Sequence, residues 1–324
     1  MNYVRWGILG TGNIANRFAK AITNADGAKL VAVASRNIHT ADNFADKYNI
    51  ENRFSSYEAL ASFEGVDAVY IALPHIYHAQ YAKIMMQAGK HVLSEKPICI
   101  NSNQIDELIQ IQKEQNVFLM EALWTRFLPA YAQIKAIISN GLIGDVLEVS
   151  ADFCYNLENK AHNVYNANFV GGSLLDVGIY GLNFASMILG DDVTEINSTV
   201  FQNNGVDERT HIMLKYKNGA IARISSALCL AKPEDAYIYG SSGYIRIPTF
   251  YAATTFDVVK KDSIQTYNFP FKGNGFEEEI EECNRCILNN KSQSDIMPLS
   301  NSSSILKIMD SVRNQHNIMF DVDK

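Results

Sequence analysis

Gly10-Thr11-Gly12-Asn13-Ile14-Ala15 follows the apolar run Trp6–Leu9 directly and opens a segment with helical spacing. Gly10 permits a tight turn, Gly12 lets a ligand approach the backbone, and Ala15 allows close contact between helix and strand. The unpaired N–H groups at the start of such a helix favour an anion. The stretch therefore predicts a strand, loop and helix that hold a dinucleotide pyrophosphate. The alternative is a glycine-rich turn without a ligand.

Short apolar runs alternate with helical patterns over residues 1–122, which is typical of βαβ units and a parallel, doubly wound sheet. The predicted strands are Trp6–Leu9, Leu30–Ala34, Ala68–Leu73, His91–Leu93 and Val117–Met120. The helical spacings include Ile14, Phe18 and Ile22, and Ile105, Leu108, Ile109 and Gln112, with Asn101 or Ser102 as a cap. Residues 1–122 are thus predicted to form a Rossmann-type nucleotide-binding domain.

The sequence pattern changes in residues 123–324, where strand patterns follow one another and are separated by turn residues. The predicted strands are Val146–Phe153, Thr194–Phe201, Thr210–Tyr216, Ala220–Leu228, Ala236–Tyr239 and Tyr244–Ile247. One long helical segment, Leu174–Leu189, interrupts them. We predict an α+β substrate domain with a mostly antiparallel sheet. A C-terminal helical segment, Ile305–Val312, is expected to pack on either domain.

Composition limits the classes of partner. The 324 residues carry 28 Lys+Arg and 35 Asp+Glu, a formal net charge of −7, without a basic run, so nucleic acid and anionic membrane surfaces are not expected partners. No apolar run approaches the ~20 residues of a membrane span, and no signal peptide is recognisable, which together indicate a cytoplasmic protein.

Five cysteines, an odd number within mostly apolar segments, fit a reducing compartment. Cys283-Asn-Arg-Cys286 is a CxxC inside a helix-like run, without a second pair or clustered histidines. Two incidental helix cysteines and a redox or metal role both stay open, and no metal site is predicted.

The second strand ends Ala34-Ser35-Arg36, without the acid that usually holds the adenosine ribose of NAD. An arginine at this place accommodates the extra phosphate of NADP. Ser35 and Arg36 therefore favour NADP, with NAD also possible. The alternative is that Arg36 caps a solvated corner.

His91-Val92-Leu93-Ser94-Glu95-Lys96-Pro97 ends a strand in an acid, a cation and a proline. Open α/β sheets present groups to ligands at the carboxyl ends of their strands. Pro97 restricts the backbone there, so Lys96 is a candidate catalytic lysine beside the dinucleotide.

Gly171-Gly172-Ser173-Leu174-Leu175-Asp176-Val177-Gly178-Ile179-Tyr180 leads into the long apolar helix. Asp176, Tyr180 and Asn183 fall at i, i+4 and i+7 and form one polar stripe on a hydrophobic element. A buried structural network and a catalytic wall both explain this stripe. A lysine supplied by the other domain favours the catalytic interpretation.

Three motifs together resemble the Gfo/Idh/MocA (glucose–fructose oxidoreductase / inositol dehydrogenase) family: Gly10-x-Gly12-x-x-Ala15, Glu95-Lys96-Pro97 and Gly171-Gly172-x-Leu174-x-Asp176-x-Gly178-x-Tyr180. The stretch 120–129, MEALWTRFLP, is most similar to the branch of dimeric dihydrodiol dehydrogenases and NADP-dependent D-xylose dehydrogenases. The resemblance implies a Rossmann domain followed by an open-faced sheet that forms homodimers. It also implies a Lys96 near the nicotinamide and before a cis proline peptide.

Inositol dehydrogenases of this family carry a histidine where this chain has Tyr180, so the resemblance implies that tyrosine is the acid/base. Oxidising an alcohol requires a base for the hydroxyl proton, and a free tyrosine titrates near ~10. The Lys96 cation and an oxidised nicotinamide ring would lower that pKa, and Asp176 could position the lysine.

Further site residues are predicted with alternatives open. Trp124, Phe153 and Tyr155 are candidate substrate walls or plain core residues. His75 and His78 border the cofactor or bond to the backbone, and Arg126 holds the cofactor or a substrate hydroxyl, or pairs with Glu121. The predicted cofactor contacts are Gly10, Thr11, Gly12, Asn13, Ile14, Ser35, Arg36, Leu73, His75, His78, Glu95, Lys96 and Arg126, and the predicted substrate contacts are Trp124, Phe153, Tyr155 and Asn183.

These features predict an NAD(P)-dependent oxidoreductase acting on a secondary alcohol or hemiacetal of a sugar, polyol or trans-dihydrodiol. The rival is a cofactor-binding sensor on the same fold without turnover. Retention of both Lys96 and Tyr180 favours the enzyme.

Overall fold

The computed structural model describes residues 3–160, 162–261 and 263–323. The described chain divides into two units. The first contains the chain up to Trp124 together with Lys272–Ser302, and the second contains Thr125–Phe271 and the chain from Ser303 onward. A segment far along the chain therefore belongs with the N-terminal unit.

The apolar runs of the first unit pair in parallel to form a six-stranded sheet in the order β3-β2-β1-β4-β5-β6. The strands are β1 Val4–Leu9, β2 Ala28–Ala34, β3 Asn52–Phe54, β4 Ala68–Ile71, β5 His91–Glu95 and β6 Leu119–Ala122. The predicted doubly wound Rossmann sheet is confirmed. Only β3 was not predicted, because its three half-buried residues contain no apolar run.

The α-helices of the described chain are α1 Asn13–Ala21, α2 Ile38–Tyr48, α3 Tyr57–Ala61, α4 His78–Gln87, α5 Ser102–Gln115, α6 Pro129–Ser139, α7 Ile179–Leu189, α8 Glu277–Leu288 and α9 Leu299–Gln315. The predicted faces of α1 and α5 are buried at Phe18, Ile105 and Leu108. Asn101 caps α5, because its Oδ1 accepts from the Gln104 amide at 3.0 Å.

Aromatic packing forms the centre of the first unit. Phe18 of α1 stacks on Tyr70 of β4 with ring centroids 3.9 Å apart, and its edge meets Trp6 of β1 at 5.6 Å. The Trp6 indole donates to Asn284 Oδ1 of α8 at 2.9 Å. Because a buried indole N–H needs an acceptor, this bond ties the late segment Lys272–Ser302 to the first strand of the unit.

The second unit is built on an eight-stranded sheet in the order β14-β13-β12-β11-β7-β10-β9-β8, antiparallel except for the β7–β10 pair. The strands are β7 Val146–Cys154, β8 Val193–Asn203, β9 Val206–Tyr216, β10 Ile221–Ala227, β11 Ala236–Gly240, β12 Gly243–Ile247, β13 Thr255–Lys260 and β14 Ser263–Asn268. The mostly antiparallel sheet is confirmed. The sequence analysis missed β13 and β14, although Phe256 and Val258 of β13 alternate with less buried residues.

The two faces of this sheet have different surroundings. On one face, Val149, Leu214 and Ile224 are buried, and α7 packs closely because a Cβ at Gly181 would lie 2.6 Å from Ile224. On the other face, Phe201, Met213 and Ile264 are 48%, 47% and 70% exposed. The sheet therefore has one open face with large apolar side chains.

The predicted segment Ile305–Val312 lies within α9 and groups with this unit.

The long apolar helix begins differently from its prediction. Leu174–Gly178 forms a π turn, and regular α-helix starts only at Ile179. Single π turns inserted in helices are frequent at functional sites. The helical stretch Ala167–Leu189 is long and apolar enough to cross a membrane by length and composition, but 83% of its most apolar window is buried, which is typical of a core helix.

The CxxC of α8 is inaccessible. Cys283 and Cys286 are both buried and free. Burial raises the pKa of Cys283, and burial together with Glu282 raises the pKa of Cys286 to about 12. Thiols with raised pKa values are poor nucleophiles and poor metal ligands, so this geometry favours the interpretation as incidental helix cysteines.

Glu279 of α8 is an unusual buried acid. Its side chain has no exposed surface, and neither carboxyl oxygen has a hydrogen-bond partner within the described ranges. Burial, reinforced by the nearby Glu95 carboxyl, raises the pKa of Glu279 well above its ordinary value. Burial therefore favours the neutral, protonated form of this carboxyl.

We expect Glu279→Gln to stabilise the protein more at pH 8 than at pH 5. The pKa of Glu279 is higher in the folded than in the unfolded protein. The free energy of unfolding of the wild type therefore falls by up to about 1.4 kcal/mol for each pH unit between the two pKa values. Glutamine carries no such cost. Urea unfolding of both proteins at the two pH values measures the difference. The exposed Glu51→Gln is the control, and a Glu279→Gln effect that does not vary with pH contradicts the prediction.

Candidate active site

The glycine loop of the first unit fits a dinucleotide. Gly10 has φ +99°, and a Cβ there would lie 2.5 Å from the Ala72 carbonyl oxygen, so only glycine fits. A Cβ at Gly12 would meet nothing within 4 Å, so the backbone faces open space. Gly12 also precedes α1 without a side-chain cap. Open space in front of the uncapped N–H groups of Asn13 and Ile14 is what a pyrophosphate requires.

Ser35 and Arg36 follow β2 at the same edge of the sheet. The Ser35 hydroxyl is buried and lies 2.6 Å from the Thr40 hydroxyl of α2, whereas Arg36 is exposed. Asn37 caps α2 by accepting from the His39 amide. A cation therefore stands where a ribose-binding acid would be in an NAD site.

His78 joins the ends of two strands. Its ring is fully buried, with Nδ1 2.7 Å from the Pro97 carbonyl oxygen and Nε2 2.6 Å from that of Leu73. Burial lowers the pKa of His78, although its bonds to these carbonyls oppose the shift. These contacts agree with the alternative in which His78 bonds to the backbone. Cofactor contacts of Leu73, His78 and the half-buried His75 stay predictions.

Glu95 and Lys96 end β5, and the Lys96–Pro97 peptide bond is cis, as the family resemblance implies. The Glu95 carboxyl is buried, accepts from the Tyr70 hydroxyl, and accepts from the Lys96 amide at 3.3 Å. Burial raises the pKa of Glu95. The contacts of Glu95 before Lys96, and of the Pro97 carbonyl with His78 after it, hold the Lys96 backbone in place at the strand end.

Trp124 is buried and has core contacts in the first unit. Its ring lies 5.3 Å from Phe276, and the Arg17 guanidinium lies 5.2 Å from its centroid. Its predicted substrate contact stays a prediction.

An aromatic cluster surrounds Tyr180 in the second unit. Phe153 stacks on Tyr251 with centroids 4.1 Å apart. Tyr180 lies 5.4 Å from Phe153 and 6.0 Å from Tyr251. The three rings come from the end of β7, the start of α7 and the turn Phe250–Ala252. They form an apolar wall with a phenol beside it.

Asp176 is paired with Tyr155. The Tyr155 hydroxyl donates to Asp176 Oδ2 at 2.9 Å, and the Tyr155 ring lies 6.3 Å from Phe153. Burial, and then the charge of Asp176, raises the pKa of Tyr155. Tyr155 is therefore a neutral hydrogen-bond donor to Asp176. The structure thus brings together Phe153, Tyr155, Asp176 and Tyr180, which the sequence analysis singled out separately.

Asp207 anchors the loop that carries these residues. Its Oδ2 accepts from the Ser173 hydroxyl, the Leu174 amide and the Thr210 hydroxyl, each at 2.7 Å. Gly172 has φ +123°, and a Cβ there would lie 2.1 Å from Asp207 Oδ1. The buried carboxylate therefore fixes the start of the π turn that presents Asp176.

Arg126 and Asn183 form a separate network in the second unit. Arg126 Nε donates to Asn183 Oδ1 at 2.5 Å, and another guanidinium nitrogen donates to the Ser186 hydroxyl at 3.0 Å. Both residues are buried. This arrangement favours the structural interpretation for Asn183, and the cofactor and substrate roles predicted for the two residues stay predictions.

Sequence reasoning missed Tyr251 and Asp207. Tyr251 lies in a short turn after β12 without a motif or periodicity that marks it. Asp207 lies at the start of β9, where a buried acid interrupts an otherwise ordinary strand pattern. That interruption is the one signal that could have been noticed.

Both units match known protein families. Residues 4–123 match the GFO/IDH/MocA oxidoreductase family, NAD-binding Rossmann fold, and residues 131–246 match the GFO/IDH/MocA C-terminal domain. Together these matches cover more than half of the chain.

Individual relatives are similar over nearly the whole length. Trans-1,2-dihydrobenzene-1,2-diol dehydrogenase of Xenopus laevis is 35% identical over 328 residues, covering 98% of this chain and 99% of the relative. The Mus musculus protein of the same name is 32% identical over 336 residues, covering 99% of each. Among solved structures, KijD10, a 3-ketoreductase from Actinomadura kijaniata in complex with NADP and TDP-benzene, has a TM-score of 0.89 at 25% identity and covers 97% of this chain and 98% of its own.

The two family matches agree with the parallel sheet, the open-faced sheet and the three motifs described above. This chain therefore belongs to the Gfo/Idh/MocA family of NAD(P)-dependent oxidoreductases.

Proposed function

We propose that the enzyme interconverts a secondary alcohol or hemiacetal and the corresponding carbonyl compound on a sugar, polyol or trans-dihydrodiol. The support is the nearly full-length similarity to proteins named trans-1,2-dihydrobenzene-1,2-diol dehydrogenase, at 29% to 35% identity. The nicotinamide cofactor, when bound, accepts the hydride during oxidation and supplies it during reduction.

Tyr180 is the proposed acid/base. Its phenol lies beside the Phe153–Tyr251 stack. The neighbouring Tyr155 hydroxyl donates to Asp176. A phenol can take the substrate hydroxyl proton if a cation lowers its pKa. Lys96, on its anchored strand end, is the proposed cation, and Asp176 is proposed to orient it.

The aromatic wall supports a ring-shaped substrate. Phe153 and Tyr251 stack with ring centroids 4.1 Å apart at an interplanar angle of 12°, and the Tyr180 ring lies beside both. Aromatic side chains bind the apolar faces of sugar rings and of arenes alike. A hydroxylated ring could rest on this wall while one hydroxyl reaches the phenol.

NADP is the proposed preferred cofactor. Arg36 takes the place of the acid that distinguishes NAD sites, and Ser35 supplies a buried hydroxyl next to it. The structural relative KijD10 is in complex with NADP, which supports the same preference.

The proposed activity is tested by incubating the protein with NADP⁺ and a panel of aldoses, polyols and trans-dihydrodiols. Appearance of the reduced nicotinamide is followed by absorbance. Turnover with one class of substrate identifies the enzyme and its substrate class. Tight NADP(H) binding without turnover on any of them, in either direction, would instead favour the sensor that the sequence analysis kept as a rival.

We expect Tyr180→Phe to lower kcat by about 10²- to 10⁴-fold, because the substitution keeps the ring but removes the hydroxyl that would exchange the proton with the substrate. The dissociation constant for NADP⁺, measured by fluorescence titration, should stay within about twofold of wild type.

Tyr216→Phe is the matched control, since Tyr216 is a buried tyrosine of β9 outside the aromatic cluster. It should keep near-normal activity. Near-normal turnover of Tyr180→Phe would move the acid/base role to Lys96.

The open face of the second sheet is the proposed homodimer interface. Phe201, Met213 and Ile264 lie on it, and Tyr237 and Tyr239 stack along it with centroids 5.6 Å apart. Large apolar side chains exposed together on one face of a sheet are typical of an interaction surface.

We expect Met213→Asp to halve the molar mass measured by light scattering, from a dimer to the 36.2 kDa monomer, because a charge on this face must be desolvated on association. Met319→Asp is the matched control, since Met319 is 62% exposed and outside the sheet. A wild-type monomer, or a Met213→Asp dimer, would rule this interface out.

A further inference from the structure

Asn16 connects the glycine loop of the first unit to α2. It is half-buried and lies in the first turn of α1. Its side-chain Nδ2 donates to the Gly12 carbonyl oxygen at 2.8 Å and to the Thr11 carbonyl oxygen at 3.4 Å. The Gly12 carbonyl also accepts from the Asn16 backbone amide at 3.1 Å. One residue therefore holds two successive carbonyls of the loop.

Two residues at the end of α2 hold Asn16 from the other side. Lys47 Nζ donates to Asn16 Oδ1 at 2.7 Å, and the Tyr48 hydroxyl donates to the same oxygen at 2.8 Å. Because an ammonium group can only donate, the amide oxygen must face Lys47 and the amide nitrogen must face the loop. The orientation of the Asn16 amide is thus determined by its partners.

The direction of the loop carbonyls matters for the binding of an anion. The unpaired N–H groups at the start of α1 attract a pyrophosphate, whereas carbonyl oxygens turned toward it would repel it. Carbonyls that already accept from Asn16 are held toward α1. A loop that is fixed in this way before the ligand arrives loses less conformational freedom on binding. The glycines of the loop supply the space for the pyrophosphate, and Asn16 fixes the direction of the backbone.

We propose that Asn16 is a positioning residue for the dinucleotide. It holds the Thr11 and Gly12 carbonyls so that the loop is ready for the pyrophosphate, and Lys47 and Tyr48 hold Asn16. Its influence concerns the pyrophosphate, which NADP and NAD share, and not the choice between these cofactors. The inference rests on the dinucleotide-binding fold of the family and needs neither the proposed substrate nor the proposed NADP preference.

Fluorescence titration with NADPH, and displacement of NADPH by NADP⁺ and NAD⁺, tests the proposal without turnover. Asn16→Leu keeps the approximate size of the side chain and removes its amide. We expect this variant to bind both dinucleotides about 3- to 10-fold more weakly, because the loop carbonyls lose their donor. The ratio of the two dissociation constants should stay within about twofold of wild type. Adenosine 2′-monophosphate has no pyrophosphate, so its dissociation constant should also change by less than about twofold.

Two further variants separate positioning from other roles. Asn43→Leu is the matched control, since it makes the same substitution at an exposed position in the middle of α2 and should leave all the dissociation constants unchanged. Tyr48→Phe removes a bond to Asn16 and should weaken both dinucleotides about 2- to 3-fold. In an Asn16→Leu background it should have no further effect, because its influence passes through Asn16. The thermal midpoint of each unliganded variant verifies that it is folded.

The possible outcomes can be distinguished. Wild-type affinity of Asn16→Leu for both dinucleotides would overturn the proposal. A loss for NADP⁺ alone would mean that the network serves the 2′-phosphate, and an equal loss for adenosine 2′-monophosphate would mean general damage to the unit. Either result would show that positioning of the loop is wrong. Equal binding of NADP⁺ and NAD⁺ by wild type would overturn only the proposed cofactor preference.

Discussion

Parallel pairing around β1 is the constraint on which the cofactor-binding unit depends. β1 pairs with β2 on one side and β4 on the other, so the segments that follow these strands emerge at one edge. The crowding there is severe, since a side chain at Gly10 would collide with the Ala72 carbonyl. Residues as distant in sequence as Gly10, Arg36 and Lys96 are gathered along this edge by strand direction alone.

The second unit depends on a helix lying flat on a sheet. Gly181 permits the approach of α7 to Ile224, and the buried Asp207 carboxylate anchors the loop before the helix. The π turn at its start carries Asp176, and the first turn of α7 carries Tyr180. The result is a phenol at the border of an apolar aromatic wall, and the acid/base role proposed for Tyr180 depends on this arrangement.

Much of this could be predicted because the signals are local. Trp6–Leu9, the glycine loop and the helical face around Phe18 follow from periodicity and turn chemistry within a few residues. Strand β14 could not be predicted, because its residues are nearly all exposed and show no alternation. Tyr251 and Asp207 were missed because their importance comes from partners more than 25 residues away along the chain, such as Phe153 and Ser173.

The sequence by itself determined the class of fold, the phosphate-binding loop, the strand end with Lys96 and the helix with Tyr180, since each is encoded in contiguous residues. Only the tertiary structure decided that Lys272–Ser302 joins the first unit and that Tyr155 donates to Asp176 Oδ2. The reason is that such contacts are selected by packing and by the need of buried polar groups for partners. Both act between segments whose separation in sequence carries no information about their separation in space.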